Sequence, residues 1–563
     1  MKKIQQNSEI QNLMKFLDKS VTNYHAVQEV CTQLDEQGFV QLSEKELWRL
    51  EEGGAYYVTR NDSSVMAFRV PDCTVEEIKG FHIYAAHSDS PAFKVKEHPE
   101  MEKEGCYVSI NTEKYGGMIL NTWLDRPLTI AGRVCVEEDG EIITYPVKLK
   151  DNACMIPNLA IHMNREMNNG VALNPQVDML PLITMTEEGQ EKFSLNKALA
   201  EALSRQNGVT YKAEDILSGD LYVVNCEKAV LAGAEDEFLM TGRYDDLGCV
   251  YGVLQALLQT KPGNYIDILA VFDNEEVGSL TRQGADSTFL PDTLHNISDG
   301  LKVSNAVMRT WIADSFLLSA DNAHACHPNQ SGKADPTNRS YLNHGIVLKF
   351  HGSQKYSTDA YSAAFVKKLC KECEVPVQTY ANRSDIAGGS TLGNLAMAQV
   401  SMPAADIGLP QLAMHSAYET AGAKDIVYLA IISSIMLVTS SVMPIVAHVP
   451  IFGIIQIVLG LQFSLFPAMG ISKIRKPGSL IFMALFSGVV LVFMNPIMFF
   501  CLLLCAFIAE LISLLIFRGY HKNASCFLAS WLYLPLTLPF LYLWYQIIGA
   551  DNSVASYANG NPI

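Results

Sequence analysis

The sequence has few basic side chains for its length: its 563 residues include 42 Lys and Arg against 59 Asp and Glu, a formal net charge of −17. Because phosphate binding needs grouped Lys and Arg, this balance argues against a nucleic-acid partner. Residues 1–7 carry no apolar run, so we expect no signal peptide. The 13 cysteines have no framework spacing, which favours free thiols and a reducing compartment over disulfides.

Charge is also scarce over one long part of the chain. Up to about residue 425 the sequence mixes charged and apolar residues as globular enzymes do, whereas residues 426–549 are overwhelmingly apolar. The mean hydropathy of +0.12 averages these two parts and describes neither. At roughly 100 to 200 residues per domain, a chain of this length suggests about three domains.

The acidic stretch after residues 268–272 is the strongest local sign of chemistry. The apolar run is typical of a buried strand, and it ends abruptly in three carboxylates. Neighbouring residues at a strand end point to opposite sides, so Glu275 and Glu276 can serve one site in different roles. One can bind a metal while the other moves a proton. Taken alone, a solvated acidic turn is the simpler interpretation.

Other predicted strands end in the same way. Residues 81–86 lead to His87, residues 316–320 lead to Asp321, and the working residues of open α/β sheets collect beyond such carboxyl ends. Two imidazoles with several carboxylates and no thiolate suit zinc, cobalt or manganese at a catalytic centre. The candidate metal ligands from five separate stretches are His87, Asp245, Glu276, Asp321 and His415.

The spacing within the His87 segment adds a supporting residue. In an extended segment, His87 and Asp89 lie on one face, so the Asp89 carboxylate could orient the imidazole. Two nearby cations would polarise a carbonyl and acidify a water, and Glu275 would shuttle its proton. That is the chemistry of peptide or amide hydrolysis. Singly, His87 could be a core histidine, Asp321 a helix cap and His415 a loop residue; the joint occurrence favours the active site.

A change in amino-acid composition indicates a second module in the chain. From residue 91 to about 235 the sequence becomes rich in Gly, Thr and Val, as at residues 128–134. Because the pattern of strands ending in acids resumes afterwards, we interpret this part as a β-rich module inserted into the first domain.

Six motifs spread over residues 1 to about 425 form a specific set: AHSDSP at 86–91, TWLDR at 122–126, IHMNR at 161–165, FDNEEVGS at 272–279, SADNAH at 319–324 and GLPQLAMHS at 408–416. This set closely resembles the M18 metalloaminopeptidases, the family of aspartyl aminopeptidase. The resemblance implies an α/β fold with a zinc-peptidase-like mixed sheet sandwiched by helices and an inserted β-rich domain that mediates assembly. It also implies peptide substrates and a homo-oligomer, a dimer or higher.

The resemblance further implies a role for each site residue. His87 and Asp321 would bind one divalent metal ion and Glu276 and His415 the other, with Asp245 bridging; zinc is the expected metal. In addition, Glu275 would be the general base, Asp89 would orient His87, and Lys349 matches a basic residue near the substrate pocket of the family.

The apolar part of the chain predicts a membrane domain. A membrane helix needs about 20 mainly apolar residues, and the candidate spans are 426–446, 450–469, 479–494, 497–517 and 526–548. Basic residues follow the second and fourth spans (Lys473, Arg475, Lys476, Arg518 and Lys522), so the positive-inside rule places the peptidase part in the cytoplasm. The predicted protein is therefore a multi-pass protein of the cell membrane.

This tail is similar to the membrane-embedded S components of energy-coupling-factor vitamin transporters, notably at residues 424–430 and 493–496. The expected organisation is a peptidase domain of residues 1–92 and 235–425, a β-rich assembly domain of residues 93–234, and an all-α transmembrane domain of residues 426–563. The favoured function is a membrane-tethered metalloaminopeptidase. The alternatives are a transporter component with an incidental peptidase domain, or an accidental join that comes from a gene fusion or a misassembled reading frame.

Overall fold

The computed structural model describes residues 8–186, 189–260, 262–431, 479–481, 496–518 and 523–533. The contacts divide the chain into two compact units, Met1–Ser440 and Ser441–Ile563.

Among the described residues, the strands lie in the first unit. The first ten are β1 Val40–Leu42, β2 Ala55–Arg60, β3 Ser64–Arg69, β4 Gly80–His87, β5 Ala92–Lys103, β6 Tyr107–Tyr115, β7 Leu128–Glu138, β8 Glu141–Lys148, β9 Leu182–Met185 and β10 Ile216–Asn225. The next ten are β11 Val230–Ala232, β12 Phe238–Thr241, β13 Tyr265–Phe272, β14 Phe316–Ala320, β15 Ala323–His324, β16 Ile346–Phe350, β17 Val377–Ala381, β18 Ala404–Gly408, β19 Pro410–Leu412 and β20 Glu419–Gly422.

The α-helices with defined bounds occur in both units. Those of the first unit are Ser8–Lys19, Asn23–Glu36, Leu195–Asn207, Tyr244–Gln259, Phe289–Gly300, Asn305–Ala313, Ala360–Glu372 and Leu392–Gln399. Those of the second unit are Pro496–Phe517 and Asn523–Tyr533.

A nine-stranded mixed sheet forms the centre of the first unit, in the order β1-β2-β3-β13-β4-β14-β18-β16-β17. Its middle strands β13, β4, β14 and β18 run parallel to one another. Parallel strands buried on both faces need continuous apolar sequence, and every residue of β4 and of β14 is buried. The carboxyl ends of these four strands therefore meet at one edge of the sheet.

Helices cover both faces of this sheet, as predicted. Alternate residues of β4 point to opposite faces of the sheet, and each face has its own hydrophobic core. Tyr84 and Ala86 belong to the core on one face, the first core, and Ile83 and Ala85 to the core on the other face, the second core. Helices Ser8–Lys19, Asn23–Glu36, Tyr244–Gln259 and Ala360–Glu372 contribute to the first core, and helices Phe289–Gly300, Asn305–Ala313 and Leu392–Gln399 to the second. Each large apolar side chain buried in these layers stabilises the fold by about 1.5–3 kcal/mol.

Two further sheets are formed mainly by strands that lie between those of the central sheet in sequence. A six-stranded antiparallel sheet, in the order β8-β7-β10-β5-β6-β9, has its own core with helix Leu195–Asn207. A five-stranded sheet, in the order β11-β12-β20-β19-β15, was not predicted from the sequence. The domain boundaries at residues 92, 234 and 425 stay a prediction.

The start of the apolar tract belongs to a protein core. Ile426 and Leu429, which begin the first predicted span, are buried in the first core of the central sheet. They approach Gly252 so closely that a Cβ placed there would lie 2.8 Å from Leu429 Cδ2. The apolar character of these residues is therefore satisfied by packing within the protein.

The helix at the fourth predicted span, Pro496–Phe517, also carries features of a protein core. Its Glu510 is buried and accepts a hydrogen bond of 3.3 Å from the backbone N–H of Ile481. Residues Cys505, Ala506 and Ala509 pack in one cluster with Cys526 and Ala529. A buried carboxylate is costly in hydrocarbon and is satisfied here by a protein donor.

Within the described ranges, no helix combines the length and the apolar character that crossing a bilayer requires. The prediction of an all-α transmembrane domain is therefore wrong, and so is the prediction of a multi-pass position in the cell membrane. Hydropathy alone cannot separate an apolar helix that packs in a protein from one that packs in lipid, which is the source of the error. Predicted span 450–469 lies outside the described residues, as do residues 432–446, 482–494 and 534–548 of the other spans.

Candidate active site

The carboxyl ends of the parallel strands deliver the first site residues. His87 is the last residue of β4, and Asp321 directly follows β14. Glu275 and Glu276 begin a short 3-10 turn just after β13, where Asn274 adopts a left-handed conformation with φ of +61°. The parallel pairing of β4 with both β13 and β14 thus brings these segments to one edge, as the sequence indicated.

Two further residues reach this edge from loops. Asp245 lies at the start of helix Tyr244–Gln259, where the backbone is not yet helical (φ −82°, ψ 108°). His415 lies in the loop between β19 and β20 and also has a left-handed backbone, with φ of +66°.

The side chains form two groups whose ligand atoms lie within 4.8 Å of one another: one of His87, Asp245, Asp246 and Asp321, the other of Asp245, Glu276 and His415. Asp245 is common to both groups. The structure thus brings together every ligand predicted from the sequence and adds Asp246.

The Asp245 carboxylate lies between the two histidines. Its Oδ1 is 3.8 Å from Nε2 of His87, and its Oδ2 is 3.5 Å from Nε2 of His415. Nε2 of His415 is also 3.3 Å from Oε1 of Glu276. One carboxylate can therefore share its two oxygens between two neighbouring cations.

The donor set fits divalent metal ions. Among the described residues, none donates a hydrogen bond to Oδ1 of Asp245 or to Oε1 of Glu276, although both oxygens are buried. Buried charges need a partner, and oxygen and imidazole ligands without thiolates suit a catalytic zinc. These unpartnered oxygens belong to the groups just described, so a cation held there would satisfy them.

The pKa values show how strongly the carboxylates are crowded. Burial raises the pKa of Glu276 well above its usual value, and His415 only partly opposes the rise. Burial also raises the pKa of Glu275 to about 8, with Asp321 adding to the effect and His87 opposing it. Asp245 differs, because the hydrogen bond to His415 and the charge of His87 outweigh burial and lower its pKa.

Asp89 lies where it can orient both a ligand and the acidic turn. Nδ1 of His87 is 3.1 Å from the Asp89 backbone oxygen and 3.3 Å from its Oδ1. Its Oδ1 also accepts the backbone N–H of Glu275, and its Oδ2 that of Glu276, each at 3.1 Å. The predicted contact with His87 is present, and the contact with the Glu275 turn is additional.

Sequence reasoning missed a second carboxylate of this kind. Glu419 is buried at the start of β20; its Oε2 accepts the backbone N–H of Asp245 at 3.1 Å, and its Oε1 accepts that of His415 at 2.8 Å. Asp246 plays a similar part, because its Oδ2 accepts the backbone N–H of His87 at 3.2 Å. The available signal was a lone carboxylate four residues after His415 in an otherwise uncharged stretch.

Lys349, predicted to contact substrate, lies deeper than expected. Its side chain is 3% exposed, and its Nζ donates to the backbone oxygen of Asn322 at 2.8 Å. The same Nζ is 3.4 Å from Oδ1 of Asp321. Burial lowers the pKa of Lys349, but the neighbouring charge of Asp321 outweighs it and raises the pKa above the ordinary lysine value.

Two imidazoles and three further carboxylates that surround a shared aspartate at the edge of an α/β sheet are typical of a metal-dependent hydrolase. Residues 16–434 match the family described as aminopeptidase I zinc metalloprotease (M18). A probable M18 family aminopeptidase 2 of Clostridium novyi (strain NT) is 44% identical over 420 residues, covering 74% of this chain and 95% of the relative. The chain belongs to the M18 family: it is a metalloaminopeptidase whose cofactor is a pair of divalent metal ions, zinc in the family description.

Solved structures agree with this assignment. The cryo-EM structure of the Ape4 and Nbr1 complex matches with a TM-score of 0.75 and 35% identity, over 78% of this chain and 87% of that one. The S. cerevesiae mApe1 dodecamer matches with a TM-score of 0.65 and 25% identity, over 76% of this chain and 95% of that one. The family match ends at residue 434, and the comparisons give no support to a resemblance between the tail and transporter S components.

Proposed function

We propose that the chain releases N-terminal amino acids from peptides with two metal ions held at the two ligand groups. In this proposal His87 and Asp321 hold one ion, Glu276 and His415 hold the other, and Asp245 bridges them. The observation that carries the proposal is the position of the Asp245 carboxylate, 3.8 Å from Nε2 of His87 through one oxygen and 3.5 Å from Nε2 of His415 through the other.

When bound, the ions supply Lewis acidity toward the scissile carbonyl and toward water. Glu275 takes a proton from the attacking water and passes it to the leaving amine nitrogen. Glu275 stands next to the proposed ligand Glu276 in the turn after β13, so its carboxylate can hold the proton beside the site between the two transfers. Asp89 keeps Glu275 in place by accepting its backbone N–H at 3.1 Å.

Lys349 contributes to substrate binding through its charge. Since Nζ already donates to Asn322 and lies beside Asp321, we expect the ammonium group to act at this end of the site as a buried positive charge rather than as a free donor. A cation there also restrains the repulsion between the site carboxylates.

We further propose that the protein is a homo-oligomer and that residues 93–234 form the assembly domain. An exposed apolar segment supports this assembly role. Three alternate residues of one loop expose much of their apolar surface: Leu159 is 50% exposed, Ile161 48% and Met163 75%. Exposed apolar side chains grouped in this way mark interaction surfaces. The similar mApe1 structure is titled a dodecamer, which favours a closed assembly of copies. Neither membrane tethering nor transport is part of this proposal.

The roles are tested by peptide hydrolysis with the full chain. Glu275→Gln keeps the shape of the side chain and removes its basicity, so we expect kcat to fall by roughly 10²- to 10⁴-fold while both metals stay bound. Glu214→Gln, at an exposed position of the assembly domain, is the matched control. Equal kcat values for the two variants would contradict the assignment of Glu275.

A further inference from the structure

Three consecutive residues at the end of β6 each touch a different part of the metal site. The Tyr115 hydroxyl donates to Oδ2 of Asp89 at 2.7 Å. A Cβ placed on Gly116 would lie 3.2 Å from Cβ of Glu276. The backbone oxygen of Gly117 is 2.8 Å from Nδ1 of His415. We call residues 115–117 the β6 corner; it belongs to the six-stranded sheet, whereas the site lies at the edge of the nine-stranded one.

The contact with His415 settles which ring nitrogen faces the metal site. A carbonyl oxygen only accepts hydrogen bonds, so Nδ1 of His415 must carry the hydrogen that points to Gly117. In the neutral ring Nε2 then keeps its lone pair, and it is Nε2 that lies 3.3 Å from Glu276 and 3.5 Å from Asp245. The Gly117 carbonyl thus holds the imidazole in the tautomer and orientation of a metal ligand.

The contact with Asp89 secures the acidic turn. Asp89 accepts the backbone N–H groups of Glu275 and Glu276, so its position sets theirs. Tyr115 fixes that carboxylate from the other side, and its own hydroxyl accepts a hydrogen bond of 2.8 Å from Nδ2 of Asn274. Because burial raises the pKa of Tyr115 far above its usual value, the phenol remains a donor.

Gly116 allows the approach of the two parts. Its φ of +78° is a conformation that other residues rarely adopt. A methyl group there would also lie 3.4 Å from the backbone Cα of Pro91, so it could not move away from Glu276 freely. A larger residue at this position would therefore strain the backbone and push on the Glu276 side chain.

We infer that the β6 corner is a positioning element of the metal centre, so that the inserted module completes the active site as well as serving assembly. This inference rests on the ligand roles proposed above for Glu276 and His415. The corner contacts Glu276 and His415, the ligands proposed for one metal ion, directly. Through Asp89 it also acts on the backbone of the Glu275 turn and on His87, a ligand proposed for the other ion.

Cobalt(II) binding to the metal-free full chain tests the inference, because the visible absorption of cobalt reports its coordination independently of activity. In Gly116→Ala we expect the affinity for the second cobalt ion to fall by roughly 10- to 100-fold, with a changed absorption band. The matched control is Gly105→Ala in the same module, where φ is also positive (+70°) but no atom lies within 4 Å of the added Cβ; it should bind cobalt as the wild type does.

Tyr115→Phe provides a second test in case Gly116→Ala fails to fold. It removes only a hydroxyl and keeps the ring packed on Tyr222, with ring centroids 5.4 Å apart. We expect kcat to fall with KM little changed, whereas Tyr107→Phe, at the exposed start of the same strand, should match the wild type. Wild-type cobalt affinity and spectrum in Gly116→Ala together with wild-type kcat in Tyr115→Phe would overturn the inference. A wild-type chain that failed to bind two cobalt ions would overturn the ligand assignment itself and the inference with it.

Discussion

Oε1 of Glu419 accepts the backbone N–H of His415 at 2.8 Å, across only four residues of sequence. The other oxygen of the same carboxylate accepts the backbone N–H of Asp245, 174 residues away in the chain, at 3.1 Å. One buried carboxylate therefore spans the bridging ligand and a ligand of the second metal ion. Its burial raises the pKa of Glu419 to about 8, with the charge of Asp245 adding to the effect.

Glu419→Gln is expected to weaken metal binding. An amide has one accepting oxygen, so its NH₂ group would face a backbone N–H that it cannot satisfy. Losing such a supporting contact typically costs roughly 10- to 100-fold in metal affinity. Isothermal titration of the metal-free chain with zinc measures this directly, and Glu372→Gln, an exposed residue of helix Ala360–Glu372, is the control. Identical zinc affinities in both variants would show that Glu419 does not position the ligands.

Removal of the metal should destabilise the fold. The site gathers buried carboxylates, and among the described residues no group donates to Oδ1 of Asp245 or to Oε1 of Glu276, so without a cation the negative charges repel one another. A ligand held at 100 times its Kd stabilises the folded state by about 2.7 kcal/mol. Calorimetry of the zinc-loaded chain should therefore show a lower Tm after chelation, restored when zinc is added back. A Tm that does not respond to chelation would contradict a metal site in this cluster.

The stability of the central sheet should depend on pH through Asp267. Burial raises the pKa of this carboxyl from 3.8 to about 6, although His82, 3.4 Å away, opposes the rise. Between these two values the folded state keeps a proton that the unfolded state releases, so the contribution of Asp267 to stability is largest below about pH 4 and is lost as the pH rises through 6.

Asp267→Asn removes this titration. The free energy of unfolding of the variant, relative to that of the wild type, should therefore rise by about 3 kcal/mol between pH 4 and pH 7. Denaturant unfolding of both proteins across this range measures the difference, with Asp139→Asn at an exposed turn as control. A difference that stays constant with pH would refute the account of Asp267.

Assembly should depend on the exposed loop around Met163. The side chain is 75% exposed, and a charge placed in an apolar contact between copies must be desolvated without a partner. Met163→Asp is therefore expected to shift sedimentation toward smaller species, while Leu47→Asp, 97% exposed elsewhere, leaves it unchanged. Equal sedimentation of both variants and the wild type would exclude this loop as the assembly surface.

Several site residues could be predicted from the sequence because they lie at or near the carboxyl ends of apolar strands. His87 and Asp321 stand directly after apolar runs and Glu275 three residues after one, and such runs are visible in any single segment. Their meeting point then follows from parallel pairing, which brings carboxyl ends to one edge.

The rest depended on contacts between distant segments. Glu419 supports the site through its contact with Asp245, and Tyr115 through its contact with Asp89. The spacing of residues within either segment does not predict these long-range pairs. The prediction of a membrane domain from the apolar tail was wrong for a different reason. Hydropathy measures how far residues avoid water, and Ile426 and Leu429 achieve this inside a protein core.

The most direct test of the central claim is a zinc titration of the metal-free full chain, followed by hydrolysis of a panel of peptides with different N-terminal residues. The account requires activity to be absent without metal and to rise until two zinc ions are bound per chain, with a single residue released from the N-terminus. Full activity in the metal-free chain, or no activity at two bound zinc ions, would contradict it.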